Sequence, residues 1–216
     1  MSKQIVKSRE AVRDTFCRHV PENFVDYLMD LFFQANVRFS IVKSRATKLG
    51  DFRAGLHGEK HKITVNGDLN KFSFLITSLH ELAHLNTFNS FGRSVMPHGE
   101  EWKNAFKKLL LPIIDSKNLP QDIENALVNS LVKMKASSCT DHQLSRVLLK
   151  YDKKPIGMAI LEELPINSVF SLNGRDFVKG PLRRKRYVCQ EVRSQRSFLV
   201  SSLAQVSPLE IKENEK

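Results

Sequence analysis

Apolar residues recur at three- and four-residue spacings in "ENFVDYLMDLFFQAN", so Phe24, Tyr27, Leu28, Leu31 and Phe32 form one stripe. That periodicity predicts helix from Glu10 to about Asn36. In "VRFSIVKSR" the period drops to two: Val37, Phe39 and Ile41 point one way, which predicts a strand. Gly50 and Gly58 punctuate a loop or a second short strand. "HKITVNGD" predicts another strand, closed by the turn signal Asn66-Gly67, and this strand is a candidate to bind an extended chain by β-augmentation. Asp68 or Asn70 can cap a helix from about Lys71 to Phe88. Gly92 and Pro97 break the chain before a helix from about His98 to Leu111, whose apolar face is Trp102, Phe106, Leu109 and Leu110. Two more helices follow in "QDIENALVNSLVKM" and "TDHQLSRVLLKYD", the latter with capping-box spacing at Thr140 and Gln143.

Near Lys153 the pattern changes. "SVFSLNG", "RDFVKG", "RRKRYVCQEV" and "RSFLVSSLAQV" are short, rich in β-branched and aromatic residues, and separated by turn residues. They predict a small antiparallel β unit from about Pro165 to Val206. The expected fold class is therefore α+β: a body over residues 1–152, a β appendage over 153–208, and a frayed tail over 209–216.

Within the Lys71–Phe88 helix stands His80-Glu81-Leu82-Ala83-His84, an HExxH pattern. Residues i and i+4 share a helix face, so the two imidazoles can reach one Zn2+. Glu81 lies about 100° around the axis, where it can take a proton from water at the metal without ligating it. The alternative is a core helix whose histidines are satisfied by ordinary hydrogen bonds. Phe72, Leu75, Ile76, Leu79, Ala83 and Phe88 surround the motif, and two buried histidines without partners would be costly. Catalytic zinc needs a third protein ligand and an open position. His98 is the leading candidate because the Gly92–Pro97 loop can turn it back toward the pair. Glu100, Glu101, His57 and His61 are weaker candidates.

"HELAHL" followed by "PHGEEWK", with "LGDFR" and "HKITVNGDLN" upstream, resembles the SprT-like metallopeptidase domain, the group that includes the Spartan proteases. The resemblance covers about Val37 to Leu111. It implies zinc ligands at His80, His84 and His98, Glu81 as catalytic base, and a minimal zincin-type fold with a link to nucleic acid. Many such proteins carry a four-cysteine zinc ribbon after the peptidase domain. Here only Cys189 stands in that region, so no second metal site is expected.

Charge adds one element. The chain carries a net +11, and residues 167–208 alone carry +6, densest in "KGPLRRKRY". Lys179, Arg183, Arg184, Lys185 and Arg186 are the candidate phosphate contacts, with Phe177, Tyr187 and Phe198 available for stacking on bases. Three scattered cysteines (Cys17, Cys139 and Cys189) with no CxxC pair argue against a disulfide framework and suit a reducing compartment. No apolar run reaches the roughly 20 residues that span a membrane, and the start lacks a signal-peptide stretch, so a cytoplasmic protein without a membrane partner is expected. Two functions follow. One is a zinc endopeptidase acting on proteins associated with DNA or RNA. The other is a nucleic-acid-associated factor with a structural zinc and absent or latent peptidase activity.

Overall fold

A computed structural model describes residues 9–45, 47–56, 58–133, 141–153 and 156–209. The chain divides into two compact units, Met1–Asp152 and Lys153–Lys216. It is mixed α+β, with helices α1 to α6 and two separate sheets.

In the first unit, the periodic stretch near the start is two helices, α1 (Arg9–His19) and α2 (Val25–Ala35). Pro21 falls between them, where its ring and missing N–H end the ladder, and a 3-10 turn over Glu22–Phe24 re-aims the chain. Asn36 caps α2 in the left-handed region at φ 47°. Three strands follow: β1 (Arg38–Val42), β2 (Gly50–Arg53) and β3 (Lys62–Asn66). Their order is β1-β3-β2, with β1 parallel and β2 antiparallel to β3. The strand expected to accept an extended chain, β3, is thus paired on both sides. The sheet edge near the motif helix is β2.

Being central, β3 is buried on both faces. Ile63 and Val65 are fully buried in the core on one side, while Thr64 and Asn66 are buried on the other. Asn66 pins the β1–β2 connection: its side-chain amide donates to the carbonyls of Arg45 and Lys48, and its carbonyl oxygen accepts from Arg45 Nε at 2.8 Å. This fixes the backbone just before Gly50.

Helix α3 (Lys71–Phe91) is capped by Asn70, whose side chain accepts from Ser73 N at 2.9 Å. It is buried around most of its circumference, with Phe74, Leu75, Leu79, Leu82 and Leu85 each at most 2% exposed. Helix α4 (Glu100–Asp115) packs along it through Trp102, Phe106, Leu110 and Ile113, and continues through Pro112 rather than ending at Leu111. Helices α5 (Gln121–Lys133) and α6 (His142–Leu149) complete the unit. The cap of α6 is Asp141, which accepts from the N–H groups of Gln143 and Leu144. Thr140, expected to cap it, lies outside the described residues, as do His57 and Cys139.

The second unit is a six-stranded antiparallel sheet. Its strands are β4 (Ala159–Ile160), β5 (Val169–Leu172), β6 (Arg175–Arg183), β7 (Arg186–Glu191), β8 (Ser197–Ser201) and β9 (Gln205–Leu209), in the order β4-β9-β5-β6-β7-β8. It starts earlier and ends later than the periodicity indicated, and Leu209, expected in a frayed tail, belongs to β9. Asn173 (φ 53°) and Gly174 (φ 73°) make the tight β5–β6 turn, a position where Asn-Gly is favoured because both residues tolerate the left-handed region. A small core of Leu161, Phe170, Phe177, Tyr187, Cys189, Val200 and Val206 holds the sheet together.

Candidate metal centre

The buried α3 presents His80 and His84 on one face, and the Gly92–Gly99 connection brings His98 to the same place. His98 sits in the left-handed region at φ 60°, a conformation that costs a non-glycine residue energy and is concentrated at functional sites. His80 Nε2 lies 3.2 Å from His84 Nε2 and 3.2 Å from His98 Nε2. The ligand-capable atoms of the three all fall within 4.8 Å of one another, and no other group of three or more metal-capable side chains occurs among the described residues. Two nitrogens sharing one tetrahedral zinc would be about 3.3 Å apart, given zinc–nitrogen distances of about 2.0–2.1 Å.

The electrostatics agree with that geometry. Burial, then His84 and His98, pushes His80 down to about 3. Burial and His98 push His84 down to about 4, and burial lowers His98. All three are neutral imidazoles at pH 7, the form that ligates metal. One hydrogen on His80 Nε2 could serve only one of its two close nitrogen neighbours, whereas a cation satisfies all three. The donor set therefore fits zinc. Trp102, 1% exposed, backs the cluster, with its ring centroid 4.6, 5.3 and 4.7 Å from those of His80, His84 and His98. It stands in the "PHGEEWK" segment, and its α4 position indicated core packing rather than support for three histidines.

Glu81 is 6% exposed on the α3 flank that faces β2. A side chain on Gly50 would place its Cβ 2.5 Å from Glu81 Oε1 and 2.7 Å from Thr77 Cγ2, so only glycine lets β2 approach this closely. Burial, then Asp51, pushes the Glu81 carboxyl up to about 7. The nearby Phe52 backbone N–H opposes the rise, as do Arg45 and Lys48. A cavity of about 320 Å3 opens onto His80 and Glu81, with Lys48, Gly50, Thr77, Asp141 and Leu144 among its lining. Arg45, Lys48 and Gly50 were not indicated by the sequence pattern as parts of the site. Their relation to Glu81 depends on how Asn66 folds the β1–β2 connection.

The remaining candidates lie elsewhere. His61 accepts a hydrogen bond from Gly55 N through Nδ1 and packs against Phe52 and Phe88, outside the cluster. Glu100 is exposed and paired with Lys103, and Glu101 is not in the cluster.

In the second unit, the basic run separates. Arg183, Arg184, Lys185 and Arg186 are exposed at the β6–β7 turn, around a surface hollow that Leu199 also lines. Lys179 does not join them. It is 2% exposed, its Nζ donates to the carbonyls of Leu161 and Leu164, and it sits 3.9 Å from the centroid of the Tyr187 ring. Alternation along β6, which also buries Phe177, carries it into the core, so its ammonium is turned away from the solvent where a phosphate contact was expected. The aromatics expected to stack on bases are committed as well: Phe177 and Tyr187 are core residues and Phe198 packs on them.

The first unit thus joins a three-histidine, metal-competent centre to a buried carboxylate beside an open cavity. No family model, curated protein or solved structure matches the chain. Among the described residues, no helix is long and apolar enough to cross a membrane.

Proposed function

We propose that this chain is a zinc-dependent endopeptidase of the SprT-like type, built on a minimal zincin-type fold. His80, His84 and His98 hold one Zn2+, and Glu81 is the general base. The observation that carries the reading is the convergence of three neutral imidazoles next to a buried carboxylate at the mouth of a cavity. A zinc ion held by three imidazoles supplies Lewis acidity at an open position and acidifies a water to near neutrality.

Glu81 follows a ligand by one residue, so its carboxylate can take a proton from water in the cavity without entering the ligand set. The bare Gly50 backbone lets β2 pack directly against the carboxylate. The free edge of β2 can pair with an extended peptide, holding its backbone beside Glu81. A purely structural zinc has no use for an ionisable carboxylate buried beside its ligands, which favours the enzyme over the structural alternative. The exposed Arg183–Arg186 turn suits an anionic polymer, consistent with substrates found on DNA or RNA.

The test pairs metal analysis with cleavage of an unfolded protein, with and without DNA or RNA, in the wild type and Glu81→Gln. Both proteins should hold one zinc and only the wild type should cleave. A zinc-loaded wild type that cleaves nothing under any of these conditions refutes the enzyme. A wild type that holds no zinc refutes the site.

A further inference from the structure

A second cavity, of about 260 Å3, adjoins the same centre on the side of His84 and His98. Its lining is largely apolar, with Phe52, Phe88, Val95, Met96, Pro97 and Trp102, and besides the two histidines its polar side chains are Thr87 and Arg93. The His80/Glu81 cavity includes Lys48 and Asp141. Strand β2 links the two, since Gly50 lines the first and Phe52 the second. An extended peptide paired with the free edge of β2 therefore passes both. We infer that the second cavity is a specificity subsite for a large apolar side chain next to the scissile bond, so that the substrates are unfolded polypeptide segments displaying Phe, Tyr, Trp, Leu or Met. This rests on the peptidase reading above.

Three features carry the inference. The cavity is continuous with the metal centre, because His84 and His98 form part of its wall. One wall is the loop that delivers His98: Val95, Met96 and Pro97 immediately precede the ligand, and Gly99 N donates to Met96 O at 2.9 Å to close the turn. The loop that positions His98 therefore also shapes the subsite. Finally, Met96 is 75% exposed at the rim, with a flexible, polarisable side chain that can close over aromatic or branched aliphatic groups alike. Large apolar residues are mostly buried in folded proteins, so a subsite that requires one, beside an edge that requires extended backbone, selects unfolded chain.

Trp102 is the chain's single tryptophan and lines this cavity, which gives a readout independent of cleavage. Zinc-loaded Glu81→Gln protein is titrated with extended peptides that differ at one position, Phe, Ala or Glu, while tryptophan fluorescence is followed. The Phe peptide should bind roughly tenfold or more tighter than the Ala peptide, the scale of apolar-pocket discrimination. In parallel, the wild type digests a mixed peptide library. Large apolar residues should be enriched at one fixed position next to the cut, and Met96→Asp should lower that enrichment while zinc content stays unchanged. Equal binding of Phe and Ala peptides, no positional enrichment, or a preference for Glu drawn by Arg93 in the same lining would overturn the subsite. If Phe-selective binding persists but the wild type cuts nothing, the subsite stands and the peptidase reading fails. If the wild type cuts without selectivity, the peptidase reading stands and the subsite fails.

Discussion

His98 lies 18 positions beyond His80, yet their ring nitrogens are 3.2 Å apart. Lys179 stands only four positions before Arg183, yet one is buried among backbone carbonyls and the other is exposed at a turn. In the first case a helix and the loop after it converge on one point, and neutral imidazoles tolerate that crowding. In the second, alternation along β6 and a register shift send neighbouring cations to different environments. Spacing in sequence indicates a shared site only when the element's period is known and uninterrupted.

The sharpest way to break this contrast is at the histidine site. Glu81→Gln should retain zinc while cleavage of an unfolded protein falls by roughly 10²–10⁴-fold, the range for losing a general base. Retained cleavage would mean that Glu81 is only a buried structural carboxylate.

Removing one of the three histidines should act on metal retention. His84→Ala should lose zinc on dialysis, with affinity falling by more than the roughly 10–100-fold typical of losing a ligand's supporting partner. Zinc content measured against the wild type decides it, and an unchanged content would dissolve the convergence that the 3.2 Å contacts imply.

In the β unit the contrast predicts that neighbouring cations behave differently. Lys179→Ala leaves the Leu161 and Leu164 carbonyls without their shared donor and should lower unfolding stability by about 2–4 kcal/mol in denaturant titration. Arg183→Ala should stay within about 0.5 kcal/mol. Paired Arg183→Glu and Arg186→Glu changes should instead weaken oligonucleotide binding and flatten its salt dependence. If Lys179→Ala is as harmless as Arg183→Ala, the separation of the basic run is wrong.

The smallest effect is on pH. In the metal-free protein, His80 and His84 titrate at about 3 and about 4, against an ordinary value near 6.5. Between these values the unfolded chain binds protons that the folded chain refuses, so stability falls as pH drops below 6.5. Glu81 works in the opposite sense between its ordinary 4.5 and about 7, binding its proton only in the fold and losing that stabilisation as pH rises. Two histidines against one carboxyl should leave a net loss of a few degrees in Tm toward acid, steeper in Glu81→Gln. A Tm that rises on acidification would contradict the sign.

Much of the site's geometry was legible because helical period and chemistry coincide in "HELAH": the spacing that aligns two histidines also turns the glutamate off their face. His98 was legible as the next histidine after a chain-reversing loop. The helix break at Pro21 was hidden by an apolar pattern that runs on across it. The edge of the three-stranded sheet was also hidden, because β2 follows β1 in sequence but pairs on the far side of β3. A parallel pairing closed by a later strand is a long-range choice that local alternation does not encode.

The sequence by itself determined the two-part α+β division, the α3 helix with its paired histidines and glutamate, and a β region without the cysteines for a second metal. These follow from periodicity, spacing and composition, which are local. Only the tertiary structure decided that Glu81 packs against Gly50 at the edge of a cavity, that Trp102 backs all three histidines, that two cavities meet at one centre, and that Lys179 is core. Each depends on which surfaces come within van der Waals reach once residues far apart in the chain share a common core, and burial there sets both the charge a group can carry and the partners it can find.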